Sequence, residues 1–281
     1  MKKLTLFAGL ALASLTVCAQ DVPALLKAAD KYRMSSDNMQ VETQISVFNA
    51  DGTPDKERRY TVFAQQKHQS LVDGGNQHQS LVLMQSPAEK GQKVLMLGDD
   101  FWLLMPGSQR PLRITPMQKL LGDASTGDIA TMSWADDYTG AIAGEEACGE
   151  PAPSPAPGRP KPGETTSGGG RDAAGGPMTC VHLSLTAARK GVTYQRIELW
   201  IGKAKNEPVK ADLYVQSDKL AKQARFVMDK PAAPTAVTEM LLRDQLTNKK
   251  ETQVRYLNRK EKTVPEAWLN PMFLARNPSL D

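Results

Sequence analysis

Histidine and cysteine are scarce in this chain, three of each in 281 residues. His68, His78 and His182 fall on strand or turn segments without metal-ligand spacing. His68 and His78 lie near hairpin ends, where solvated turn residues are expected. There is no GxSxG elbow, HExxH, CxxC or phosphate-binding glycine loop. The acidic pairs Asp99-Asp100 and Asp136-Asp137 occupy an expected turn and helix end, which accounts for them without acid–base or calcium chemistry. The expectation is therefore no catalytic residue, no metal site and no cofactor. Basic runs are lacking as well. The net charge of +4 becomes 4 − 2 = +2 without Lys2 and Lys3, so no nucleic-acid partner is expected.

Long apolar runs are missing except at the start. "MKKLTLFAGLALASLTVCAQ" places Lys2 and Lys3 before an apolar stretch and small residues after it. It is too short to span a bilayer and reads as an export signal, residues 1–19, cut after Ala19. Leu15-Thr16-Val17-Cys18 also resembles a lipobox, in which Cys18 would be lipidated and anchor the protein. Export leaves Cys148 and Cys180 as an even pair in an oxidising compartment. The stretch between them is about half proline and glycine, too poor in apolar side chains to offset its ordering entropy. Residues 149–178 are thus expected to be a disordered surface insert. A Cys148–Cys180 disulfide at its base would contribute roughly 3 to 4 kcal/mol, the alternative being two buried free thiols.

What the chain has in quantity is alternation. Residues 22–34 show helical spacing, with Pro23 in the first turn. From Val41 the period becomes two, and residues 41–47 and 59–64 make a hairpin around "NADGTPDKE". Further strands are expected at 69–72, 80–84, 93–97, 101–105 and 112–114. After the insert they follow at 181–185, 194–201, 209–216, 221–228, 236–242 and 251–257. Many short strands with few helices indicate one curved antiparallel sheet in a single domain over residues 20–281. "TPMQKLLGDASTGDIATMSWADDY" interrupts the rhythm and reads as two short helical turns. Thr115, Pro116 and Gly122 would bound the first, and Thr126 or Gly127 would open the second near Asp128. Met117, Leu120, Leu121, Ile129 and Met132 give it an apolar underside, fit either for a fixed plug or for a movable lid.

"QKVLMLGDDFWLLMPGSQRPLRI" raises a separate question, because both faces of its strands are apolar. A wet sheet should alternate.

The run "GDDFWLLMPGSQRPLRITPMQKLLGDASTGDIATMSW" resembles the exported outer-membrane lipoprotein-sorting proteins, the LolA/LolB-like carriers. "YQRIELWIGKAKNEPVKADLYVQSDKLAKQARFVM" resembles their paired later strands, and "NRKEKTVPEAWLNPMFLAR" their last strand and short C-terminal helix. The resemblance covers most of the chain outside the insert. It implies a mainly β (α+β) fold, an unclosed half-barrel with a helical lid over an apolar cavity. It also implies a periplasmic, non-enzymatic carrier of acyl chains of a lipid or lipoprotein between inner and outer membrane. An inner-membrane exporter would be the donor and an outer-membrane protein the acceptor. The alternative is an outer-membrane lipoprotein anchored through Cys18, acting as receptor or assembly scaffold.

One apolar face of each strand would then line the cavity. Candidate lining residues are Val94, Met96, Phe101, Leu103, Met105, Ile197, Leu199, Leu213 and Val215, with Met117, Leu121 and Trp134 from the lid. The opposite face, Leu95, Leu97, Trp102 and Leu104, is equally apolar, so the assignment could be inverted.

Overall fold

The computed structural model describes residues 21–34, 36–66, 78–130, 133–148, 178–189, 191–230, 232–245, 250–278 and 280. The expected signal, Cys18, the strand at 69–72, His68, Met132 and nearly all of the insert lie outside these residues.

The chain opens with α1 (Val22–Asp30) and the hairpin β1 (Asn38–Phe48) and β2 (Pro54–Gln65). Next come β3 (Gln79–Met84), β4 (Lys93–Leu97), β5 (Asp100–Leu104) and β6 (Leu112–Ile114). A small hairpin, β7 (Lys119–Leu121) and β8 (Ala124–Ser125), leads into α2 (Thr126–Ile129) and α3 (Trp134–Asp137). The second half holds β9 (Tyr138–Ala147), β10 (Thr179–Ala187), β11 (Arg196–Gly202), β12 (Pro208–Tyr214), β13 (Leu220–Met228), β14 (Val237–Asp244) and β15 (Glu251–Glu261). A 3-10 turn, Glu266–Leu269, and α4 (Pro271–Ala275) follow.

Thirteen strands form one antiparallel sheet in the order β6-β5-β4-β3-β2-β1-β15-β14-β13-β12-β11-β10-β9. It does not close, since β6 and β9 are its two ends. The expected mainly β, unclosed architecture is the one observed. Register aligns the inward side chains into rows. One row runs Leu183, Leu199, Ala211, Ala224, Leu242 across five strands, and another runs Val41, Val62, Val82, Val94. These belong to a single buried apolar core that also takes in Leu25, Leu26 and Ala29 of α1.

The double-sided strands now have their explanation. Val94 faces the main core, while Leu81, Leu95 and Leu104 face outward with Phe63. The C-terminal segment lies over that outer face, burying Val264, Trp268, Leu269 and Leu274 against it. Trp268 meets Phe63 edge-on, with centroids 5.3 Å apart. Pro271 suits the first position of α4, and Asn270 caps it by accepting from the Met272 and Phe273 N–H groups. Lys93, in phase with this outer face, donates to Asn277 Oδ1 at 2.6 Å and fastens the end of the strap.

Two expectations need correcting, and one strand was not expected. The first turn of the interrupting segment is not a helix but the β7–β8 hairpin. Gly122 turns it at φ +55°, and a Cβ there would stand 2.5 Å from both Val47 Cγ2 and Thr252 Oγ1. The tip is pressed against β1 and β15, an approach that a helical turn ending in a bulkier residue could not make. The second turn is helical as expected. β9 is a strand that composition hides, because Gly, Ala and Glu are poor strand formers and only pairing with β10 holds it. The helix α1 stops at Asp30, four residues early, where the Asp30 side chain is used elsewhere.

Cys148 and Cys180 form the expected disulfide, with Cα atoms 5.5 Å apart, packed beneath Trp200 and Val209.

Candidate functional site

The segment from Thr115 to Asp137 sits in the concave side of the sheet as a plug. Its apolar underside is as expected in kind. Ile129 and Trp134 belong to the main core, and Met117, Leu120 and Leu121 pack half-buried against it. Trp134 meets Phe226 of β13 edge-on at 5.6 Å. Ala130 closes a small neighbouring cluster with Met96, Phe101 and Ile114.

The candidate lining residues are therefore brought together, with one exception. Val94, Trp134, Ile197, Leu199 and Leu213 are buried in the main core, and Leu103, Met117, Leu121 and Val215 pack against it. Met96 and Phe101 stand beside it. Met105 lies just past β5 and is 38% exposed, away from both clusters. The inward face is the one carrying Val94 and Met96, since the strap occupies the other. Among the described residues, side chains of the plug pack directly onto the concave face. The opening left beside Met96, Phe101, Ala130, Asp137 and Arg189 is about 20 Å³, room for no more than a water.

Apolar contact alone does not hold the plug. Asp128 in α2 and Lys222 in β13 form an ion pair at 2.6 Å, with side chains 2% and 3% exposed. Asp128 also receives the Ser125 N–H at 2.8 Å, the Ser125 hydroxyl at 2.7 Å and the Tyr194 hydroxyl at 2.7 Å. Burial pushes this carboxyl up, but the Lys222 charge and these donors outweigh it and hold Asp128 below the usual carboxylate range. The Tyr194 phenol is raised well above its ordinary value by burial and by the Asp128 charge.

Other polar contacts repeat the pattern along the plug. Asp123 donates its N–H to Thr252 Oγ1 at 2.8 Å and accepts from the Asp244 N–H at 3.3 Å. Asp30, at the end of α1, accepts from Ser133 Oγ at 3.1 Å and from the Ala135 N–H at 2.9 Å. Burial raises the Asp30 carboxyl, with Arg33 opposing. The Arg33 guanidinium also lies 4.0 Å above the Trp134 ring. At the plug's end Arg189 donates through Nε and Nη2 to Asp137 Oδ1, at 3.0 and 2.7 Å, and bridges to Asp99. Burial lifts the Asp137 carboxyl to about 7, with His78 lowering it and Asp136 and Asp30 adding to the rise.

His78 corrects a further expectation. It is buried rather than solvated, and its Nε2 lies 3.0 Å from Asp136 Oδ2. Asp136 and Asp137 accordingly hold the plug in place and are more than turn residues. His182 stacks flat on Trp200 at 4.3 Å and pairs with Glu198 at 2.8 Å. Among the described residues, no group of three or more His, Cys, Asp or Glu could hold a metal. No helix among them is long and apolar enough to cross a membrane.

Sequence reasoning missed Lys222, Tyr194, Asp30, Asp123 and Arg189. Two signals were present. Lys222 falls in phase with Ala224, Phe226 and Met228, a charge in the apolar register of its strand. Ser125-x-x-Asp128 is a capping-box spacing.

An open, curved antiparallel sheet with an apolar concave face under a plug is the architecture of the lipoprotein-sorting, lipid-binding carriers. Residues 76–276 match a family model described as "Uncharacterized protein". A LolA superfamily protein of Nitrosomonas europaea superposes with a TM-score of 0.67 at 26% identity, over 88% of this chain and 96% of that one. A domain described as an outer membrane lipoprotein-sorting protein, from Vibrio parahaemolyticus, gives 0.61 at 15% identity, over 90% and 98%. A DUF1329 family protein of Desulfovibrio piger gives 0.60 at 20% identity, over 88% and 95%. No curated protein matches the chain. The chain belongs to the LolA-like family.

Proposed function

We propose that this protein is a periplasmic carrier that takes the acyl chains of a lipid or lipoprotein beneath its plug and moves them between inner and outer membrane. The observation that carries this reading is the construction of the concave side. Val94, Ile197, Leu199 and Leu213 offer an apolar floor, and the segment covering it is positioned by a few discrete polar contacts. An acyl chain gains about 0.8 kcal/mol for each methylene leaving water. A guest of a dozen or so methylenes would thus replace the contacts that Trp134, Ile129 and Met117 make with the floor. A buried ion pair adds little net stability but favours one seated position, which suits a cover that must reseat after release. In this reading Val94, Met96, Phe101, Leu103, Ile197, Leu199, Leu213 and Val215 line the site, and Met117, Leu121 and Trp134 cover it. An inner-membrane donor and an outer-membrane acceptor complete the route, and residues 1–19 supply the export.

The test is titration of the purified protein with a fluorescent fatty acid and with a triacylated lipopeptide, alongside native mass spectrometry of protein from its own envelope. Saturable binding that Leu199→Asp abolishes supports the carrier. Absence of both bound lipid and probe binding would refute it.

A further inference from the structure

Two arginines of β15 have different surroundings. Arg255, on the outer face, pairs with Glu239 at 2.8 Å. Arg259 stands opposite Val41 in the register, which places it on the inward face. Between them Leu257 is the extra residue of a bulge, since Thr43 pairs with Tyr256 and Glu42 with Asn258. The bulge returns Arg259 to the side of Tyr256, and its guanidinium lies 4.6 Å above that ring. Among the described residues Arg259 has no ion pair, and its Nε is buried without a hydrogen-bond partner. Leaving a buried N–H unmade is costly, and more so on a charged group.

A second cation stands close by. Arg33 follows α1, pairs with Asp30 at 3.4 Å and lies over Trp134 of the plug. Its charge reaches both Tyr256 and Arg259. Burial pulls the Arg259 guanidinium below its ordinary value and the Arg33 charge pulls it further, against Tyr256 and Asp229. Asp229 is itself engaged, accepting from the Thr235 and Ala236 N–H groups at 2.8 and 3.1 Å. Trp134 Nε1 is likewise buried without a hydrogen-bond partner among the described residues. The end of α1, the plug and β15 thus gather two guanidiniums against one carboxylate, Asp30, together with unused donors. An anion supplies what such a cluster lacks. The register adds a direction. Arg259 heads the row that continues through Val41, Val62, Val82, Val94 and Leu103. At the usual strand spacing this row crosses about 24 Å of the floor. It is charged at one end and apolar along the rest, matching a molecule with an ionic head and a hydrocarbon tail.

We propose that Arg259 and Arg33 bind the phosphate of an anionic lipid whose acyl chain lies along this row, an assignment that rests on the carrier reading and fixes which way round the guest sits. The planar fork of Arg259 donates to two phosphate oxygens, its buried Nε among the donors, and Arg33 supplies the second positive charge.

The disulfide-intact protein is titrated with a fluorescent-acyl phosphatidic acid and with the diacylglycerol carrying the same chains. The parent should bind the phosphatidic acid about tenfold more tightly or better, a preference that shrinks as salt is raised. Arg259→Gln should remove most of that preference by weakening the phosphatidic acid far more than the diacylglycerol. Arg259→Lys keeps the charge without the fork and should restore only part of it, and Arg33→Gln should reduce it as well. Thermal melts establish that each variant is folded. Equal affinity of the parent for the two lipids, or a preference that survives Arg259→Gln, overturns the proposal and leaves the carrier reading standing. Binding of neither lipid overturns both. Inorganic phosphate in millimolar excess should displace little of the phosphatidic acid. Displacement by micromolar phosphate would mark a site for the free anion and overturn the lipid assignment.

Discussion

Replacing Lys222 by methionine tests the buried ion pair most directly. The shape of the side chain is nearly kept, so packing over the Tyr194 ring changes little, while Asp128 loses its counter-charge. Both partners are shielded, at 2% and 3% exposure. Stranding one buried charge costs about 3 to 5 kcal/mol, a large part of the roughly 5 to 15 kcal/mol that holds a domain together. Lys222→Met should lower the urea midpoint accordingly, read by tryptophan fluorescence. Adding Asp128→Asn removes the stranded charge; its single amide oxygen still accepts from Ser125, and its NH2 group can donate to the Tyr194 hydroxyl oxygen in place of the bond Tyr194 now gives. It should recover about 1 to 3 kcal/mol, so the double variant is more stable than Lys222→Met alone. The pH dependence follows the same logic. Asp128 titrates below its ordinary 3.8 in the folded protein, so its contribution is present above that value. It is lost as pH falls through the lower folded-state value, and Asp128→Asn should flatten this acid limb. The reasoning fails if Lys222→Met alone costs less than about 1 kcal/mol, or if the second substitution makes the protein less stable still.

Asp137 should act with the opposite sign. Its folded value of about 7 lies above the ordinary 3.8, so thermal midpoints should rise as pH is lowered from 8 toward 5, and Asp137→Asn should abolish that rise. Gly122→Ala combines a positive φ with contacts of 2.5 Å and should cost about 1 to 3 kcal/mol, lowering the melting temperature by several degrees. Reducing the Cys148–Cys180 bridge, which spans 32 positions, should destabilise by roughly 3 to 4 kcal/mol in paired melts with and without reductant, and thiol reagents should label neither cysteine in the unreduced protein. Replacing residues 149–178 by a short Gly-Ser turn should leave lipopeptide affinity unchanged in the fluorescence titration.

Much of the sheet was legible because alternation is a local signal. Ile45, Val62 and Leu199 announce their strands through their neighbours, and the even cysteine pair announces its bridge. Less legible were features that depend on distant partners. β9 carries almost no strand propensity and exists through its register with β10. The β7–β8 hairpin is shaped by Val47 and Thr252, far away in sequence. The lining residues could be grouped by phase but not assigned to a face, because Leu95 and Trp102 are as apolar as Val94 and Phe101. Only the strap from Val264 to Ala275 breaks that tie. The polar contacts of the plug were hidden for a related reason. An aspartate such as Asp30 or Asp137 looks like surface until the element that buries it is in place.

The strand order has a further consequence, for how the chain is made. β1 and β15 are the sixth and seventh of thirteen strands, so the first and last strands of the sequence meet in the middle of the sheet. During synthesis β1 must wait for nearly the whole polypeptide before it gains its second neighbour. Pairing over such separations is slow, since the loop must close before any contact rewards it. Until then the nascent molecule is two half-sheets, each with an unpaired apolar border that invites aggregation. A chain cut short after β14 would lack its central seam as well as its tail, so a nonsense mutation near the end should be as damaging as one in the middle.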